Sequence, residues 1–105
     1  MNKHIERFCH YLIHEQGLAK NSVLAYRQDV EDWQAYLGDK DLTEGSVEDI
    51  IGYMTAKRAD GISIETVLRR LSGLGQLYDY FIKEKIITSN GSKAAGRRFL
   101  LKMVI

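Results

Sequence analysis

Apolar residues recur along most of this chain at the three- and four-residue spacing of helices, and four separate stripes can be traced. In the first, Ile5, Phe8, Cys9, Leu12 and Ile13 follow the i, i+3, i+4, i+7, i+8 pattern. This predicts a helix over 5–16, stopped by Gly17. The second stripe, Val23, Tyr26, Val30, Trp33 and Leu37, predicts a helix over 20–37 that ends at Gly38, with a polar loop from Gly38 to Asp41. Ser46 opens the third element and, with Asp49 at the N3 position, approximates a capping box. Val47, Ile50, Ile51 and Met54 supply its buried side, and Gly61 falls in the loop beyond it. A longer fourth helix is expected over 63–85, with Ile64, Val67, Leu68, Leu71, Leu74, Tyr78, Phe81 and Ile82 as its apolar face. Gly73 and Gly75 interrupt it, each weakening the helix by roughly 1 kcal/mol relative to alanine. Glycines so placed mark a close crossing with another helix, or nothing.

The pattern therefore predicts an all-α domain over residues 1–90, an orthogonal bundle of four main helices without internal repeats. After Asn90 the character changes. Gly91–Arg98 is small and basic, and Phe99–Ile105 is apolar without a helical period. A flexible basic tail or non-native extension is expected over 91–105, with a short packed helix as the alternative.

Composition adds bounds. A chain of 105 residues with 45% hydrophobic and 28% charged residues fits one soluble globular domain with a single core. Proline is absent, which removes the usual obstacle to long helices. No apolar run approaches the roughly 20 residues that span a bilayer, and Met1–His4 lacks the apolar core of a signal peptide. One cysteine, Cys9, cannot form an internal disulfide, so a cytoplasmic protein is the default expectation. Net charge is +1, but four of the 15 basic residues (Lys93, Arg97, Arg98 and Lys102) lie after Asn90. The first 90 residues thus hold 11 basic and 14 acidic side chains, so contact with a polyanion there needs a local basic patch.

Two polar faces are candidates. On the second helix Lys20, Arg27 and Gln34 share a face beside Asn21 and Gln28. The backbone N–H groups at Lys20–Ser22 face the chain start of that helix and suit a phosphate. On the fourth helix Ser63, Thr66, Arg69, Arg70, Ser72 and Gln76 lie on the polar side, where arginine can read guanine and glutamine adenine. The plain alternative in both places is a solvated face, with Arg69 or Arg70 paired to Glu65 or to an acid elsewhere. Lys57 and Arg58 suit the negative pole of the third helix.

Other chemistry is thin. His10 and His14 have the i, i+4 spacing of a zinc pair, but no third ligand is placed to complete a site. Cys9 points into a core stripe, where thiols are usually inert. Tyr26, Tyr78 and Tyr80 fall on or near core stripes and read as packing residues.

Two stretches together resemble a known family. Gly17-Leu18-Ala19-Lys20-Asn21-Ser22-Val23-Leu24-Ala25-Tyr26-Arg27-Gln28-Asp29-Val30 is similar to the Leu-Ser-x-Asn-Thr loop and Tyr-x-x-Asp helix of the core-binding domain of phage-integrase and Xer-type tyrosine recombinases. Leu68-Arg69-Arg70-Leu71-Ser72-Gly73-Leu74-Gly75-Gln76-Leu77-Tyr78-Asp79-Tyr80-Phe81 is similar to its later Leu-Ser-x-Leu-Arg-x-Phe-Tyr helix. The departures are Ala19 for a capping serine, Gly75 for an arginine, and Asn90-Gly91 for an Asn-Pro. The resemblance covers about residues 5–90 and implies a SAM-like domain that forms half of a clamp on duplex DNA, through its second and fourth helices. It implies DNA contacts at Lys20, Asn21, Ser22, Arg27, Gln28, Ser63, Thr66, Arg69, Arg70 and Gln76, and contact between neighbouring protomers on DNA. It places the chemistry (an arginine, a His-x-x-Arg pair and a tyrosine nucleophile) in a separate catalytic domain. No enzyme activity, cofactor, metal, membrane or small-molecule substrate is expected of this chain alone. A helical protein–protein interaction module is the competing class.

Overall fold

The computed structural model describes residues 2–87, so the expected tail over 91–105 and the Asn90-Gly91 departure lie outside the described residues. Asn2 sets the start of α1 (Lys3–His14): its side-chain oxygen accepts the His4 N–H at 2.8 Å and the Ile5 N–H at 3.4 Å. The helix begins two residues before the apolar stripe because the cap, not the stripe, fixes the first turn. It also ends two residues earlier than expected. Gly17 turns at φ +64°, and the N–H groups of Glu15 and Gln16 both reach back to the Tyr11 carbonyl.

α2 (Lys20–Leu37) has the bounds the stripe predicts, with Gly38 at φ +68° ending it. Its N-cap, Ala19, makes no side-chain bond to the first turn. A single 3-10 turn, Leu42–Glu44, follows in what the sequence presents as loop, capped by Asp41 and burying Leu42 completely. α3 (Val47–Ala59) opens on a complete capping box: Ser46 Oγ accepts the Asp49 N–H at 3.2 Å, and Asp49 accepts the Ser46 N–H at 2.9 Å. α4 (Ile64–Lys83) is capped by Ser63, whose hydroxyl accepts the Thr66 N–H.

The four-helix, all-α expectation holds. α2 packs against each of the other three helices, and α3 also packs on α4. At the centre Trp33, Tyr53, Tyr78, Phe8 and Phe81 are completely buried with Leu12, Ile50, Leu71, Leu74 and Leu77. One polar chain crosses this core. Trp33 Nε1 donates to Tyr78 Oη at 3.0 Å, and Tyr78 Oη donates to the Leu42 carbonyl at 2.7 Å. Gly45 is required there, because a Cβ would stand 2.3 Å from Tyr78 Oη. The 3-10 turn is thus tied into the core by a hydrogen bond whose loss would strand buried polar groups.

Three stripe assignments need correction: Ile51 is 50% exposed, Ile13 is 44% exposed, and Ile64, the first residue of α4, is 39% exposed. α3 meets its neighbours through Ile50 and Tyr53, so Ile51, a third of a turn away, points to solvent. Ile13 sits at the edge of the α1 stripe, where with Leu24 it lines an open groove against α2.

Candidate nucleic-acid interface

α2 divides the expected site residues between its two flanks. Lys20 and Arg27 line the groove toward α1, together with Glu6, Cys9, His10, Ile13, Val23 and Leu24. Ser22 lies toward α4, where Ser22, Ala25, Tyr26, Arg69 and Ser72 line an open groove of about 220 Å³. Asn21 and Gln28 are exposed. Ser63 and Thr66 are joined at the start of α4, the Ser63 hydroxyl donating to Thr66 Oγ1 at 3.0 Å, and Gln76 is half-buried. The structure therefore brings Ser22 and Arg69 together and sets Arg27 apart from them.

Arg27 is not the exposed side chain its helix position suggests. It bonds to Glu6 on α1 and, at 3.4 Å, to Glu31 one turn along α2. The Glu6 hydrogen bond raises its pKa above the ordinary arginine value. Cys9 lies beside it, and burial pushes that thiol up, so the neutral form dominates. Gln34 is also occupied, accepting from the Asn2 side chain at 2.9 Å. The α1 flank of α2 is thus a polar seam joining two helices.

On the α4 flank two carboxylates organise the cations. Asp29 is buried, with only 4% of its side chain exposed, whereas the Arg69 side chain is 57% exposed. Arg69 donates to both Asp29 oxygens, Nη2 to Oδ1 at 3.0 Å and Nη1 to Oδ2 at 3.1 Å. This is the bidentate pairing that a planar guanidinium makes with a carboxylate. Burial raises the Asp29 pKa, and the Arg69 bonds only partly oppose it. The carboxylate is buried there because α4 presents Gly73: a Cβ at that position would lie 2.8 Å from Asp29 Oδ2 and 3.3 Å from the Tyr26 ring. Gly73 does mark a close helix crossing.

One turn further along α2, Asp32 accepts from Tyr53 Oη at 2.7 Å, Lys57 Nζ at 3.1 Å and Arg70 Nη1 at 3.3 Å. Burial acts to raise its pKa, but these bonds and charges outweigh burial and hold it below the ordinary carboxylate value. Lys57 therefore serves a carboxylate on α2 rather than only the end of α3. Arg58 does serve that end, its guanidinium donating to the Ile62 carbonyl at 2.9 Å. Of the two α4 arginines, Arg70 is the more enclosed, at 25% exposure.

The carboxylates Asp29 and Asp32 were not among the residues singled out from the sequence. The signal for Asp29 was its place in the Tyr-x-x-Asp motif, which the structure explains as Tyr26 and Asp29 flanking Gly73. A His-x-x-Arg spacing also occurs at His4 and Arg7 on α1. His4 packs edge-on against Phe81, while Arg7 lines a different groove with Tyr80 and Glu84, so the two do not converge. His10 and His14 lie with ring centroids 4.0 Å apart and ring planes tilted by 38°, and no group of three metal-ligating side chains forms among the described residues. No helix among them is long and apolar enough to cross a membrane.

Four helices locked by carboxylate–cation pairs, with one arginine held at a groove between the second and fourth, define a helical module of the SAM-like kind. The chain belongs to the phage integrase N-terminal SAM-like domain family, which matches residues 5–85. It is 34% identical over 88 residues to tyrosine recombinase XerD of Listeria monocytogenes serovar 1/2a, covering 80% of this chain and 30% of that protein. It is 30% identical over 92 residues to tyrosine recombinase XerD of Oceanobacillus iheyensis, covering 84% and 31%. Tyrosine recombinase XerC of Listeria innocua is 28% identical over 88 residues, covering 81% and 29%. The chain spans about 30% of the length of these curated relatives. No solved structure matches it.

Proposed function

We propose that this chain is the DNA-holding N-terminal module of a tyrosine recombinase, binding duplex DNA non-covalently while a separate catalytic domain cuts and rejoins the strands. The observation that carries this reading is the family match across nearly all of the described bundle, residues 5–85. The α2–α4 flank supports it physically, since Arg69 and Ser22 border one open groove. Ser63, Thr66 and Gln76 extend that flank along α4, Asn21 and Gln28 add exposed polar positions on α2, and Lys20 stands on the α1 side of α2. Arg27 and Arg70 belong to the interface as secondary contacts, because each must exchange an acid partner for a phosphate. Neighbouring protomers on one DNA site are the expected protein partners, and the cytoplasm the expected location.

The test is binding of a random-sequence duplex, followed by fluorescence anisotropy over a salt series. Phosphate contacts give affinity that falls steeply as salt rises. Affinity with little salt dependence, or selective capture of a protein partner in place of DNA, favours the interaction-module reading and counts against this one.

A further inference from the structure

The two partners of the Asp29–Arg69 pair differ in exposure. An exposed arginine is ordinarily a mobile side chain that must give up rotamer freedom to hold a ligand. Here the acid is 4% exposed and packed so close to Gly73 that a Cβ there would stand 2.8 Å from its Oδ2. The guanidinium it grips is 57% exposed, bonded through both terminal nitrogens, and stands at a groove bordered by Ser22 and Ser72. With those bonds in place, the remaining N–H groups are directed by the carboxylate plane rather than by solvent. The groove is open, about 220 Å³, and bordered by the Ser22 and Ser72 hydroxyls beside the guanidinium, a donor set that suits a backbone phosphate.

We infer that Asp29 is a positioning residue: it fixes Arg69 so that its outward N–H groups, with the Ser22 hydroxyl, take a single backbone phosphate of the DNA rather than a base. This rests on the DNA-binding reading above and adds to it the ligand group and the residue that orients its receptor. The sign of the Asp29 effect separates positioning from simple charge. Removing a carboxylate beside a phosphate site would tighten binding if only Coulomb repulsion mattered. Positioning requires the opposite.

The experiment is a double-mutant cycle on duplex affinity with Asp29→Asn, Arg69→Ala and the pair, measured at several salt concentrations on an A·T-rich and a G·C-rich duplex. Arg69→Ala is expected to weaken binding about tenfold, equally on both duplexes, and to reduce the salt slope by about one phosphate. Asp29→Asn is expected to weaken it roughly fivefold, the effect of freeing one ordered side chain, with no further loss once Arg69 is alanine. Arg69→Lys, which keeps the charge but lacks the planar fork and does not depend on altering the buried acid, is expected to lose nearly as much as Arg69→Ala. Salt-dependent binding that is unchanged or tighter in Asp29→Asn, an Asp29→Asn loss that persists in the Arg69→Ala background, or full affinity in Arg69→Lys overturns the inference and leaves the DNA reading standing. An Arg69→Ala loss confined to one duplex overturns the assignment to phosphate. Absence of salt-dependent binding by the unaltered protein overturns the DNA reading itself.

Discussion

Asp29 and Asp32 sit one turn apart on the same helix and hold their cations in opposite ways. Asp32 gathers Tyr53 and Lys57 from α3 and Arg70 from α4, and its own side chain remains 33% exposed. Asp29 takes one partner, is buried, and leaves that partner in solvent. The first arrangement joins three helices at the expense of the cations' availability. The second leaves an arginine at the surface with its orientation set from below. A carboxylate that is heavily bonded is a structural joint, whereas one that is buried under a single exposed guanidinium is a mount.

The largest effect expected from breaking this contrast is Asp32→Ala. It strands the buried Tyr53 hydroxyl and frees two cations, and should destabilise the domain by about 2 kcal/mol in urea denaturation. Little change would mean the Asp32 knot is a surface pairing of small weight. Next comes Gly73→Ala. Helix propensity favours the substitution by about 1 kcal/mol, but the new Cβ must displace Asp29, whose surroundings are closed, so a net loss of about 1–2 kcal/mol is expected. A stabilised variant would show that the crossing has room to relax.

A smaller effect separates the two acids by sign. The Asp32 pKa is lowered in the fold, so its contribution is present above its ordinary value of 3.8 and is lost as pH falls through the folded pKa. The Asp29 pKa is raised, so its contribution is fully present below 3.8 and is lost as pH rises through the folded pKa. Asp32→Asn should therefore flatten the acid-side fall in stability, while Asp29→Asn should remove a decline on the rising side. Chemical denaturation across that pH range reads both, and parallel profiles for the two variants would contradict the assignment. The smallest effect is expected at Ile51→Ser, within about 0.5 kcal/mol of the unaltered protein, since that side chain faces water.

Much of this architecture is legible in the sequence because its signals are local. Gly17 and Gly38 each turn the chain at positive φ where the stripes end, and Ser46 with Asp49 forms the capping box their spacing suggests. Gly73 was legible as a crossing but not as to what it crosses. The rest depends on distant partners. Asp29 lies between Gln28 and Val30 and reads as a solvated polar residue, yet its partner is 40 positions away. Arg27 reads as exposed until α1 brings Glu6 against it. Tyr53 and Ile51 exchange places because helical periodicity tolerates either until α2 and α4 choose the face. The 3-10 turn at Leu42 carries no period and is specified by the Tyr78 hydroxyl, 36 positions on.

The most direct test of the central claim is an amide NMR titration of the protein with a random-sequence duplex at low and moderate salt. The account predicts shifts clustered at Lys20–Gln28 and Ser63–Gln76, strongest around Ser22, Arg69 and Ser72, and fading as salt rises. Shifts confined to residues after Asn90, or none at all on the α2–α4 flank at low salt, would contradict it.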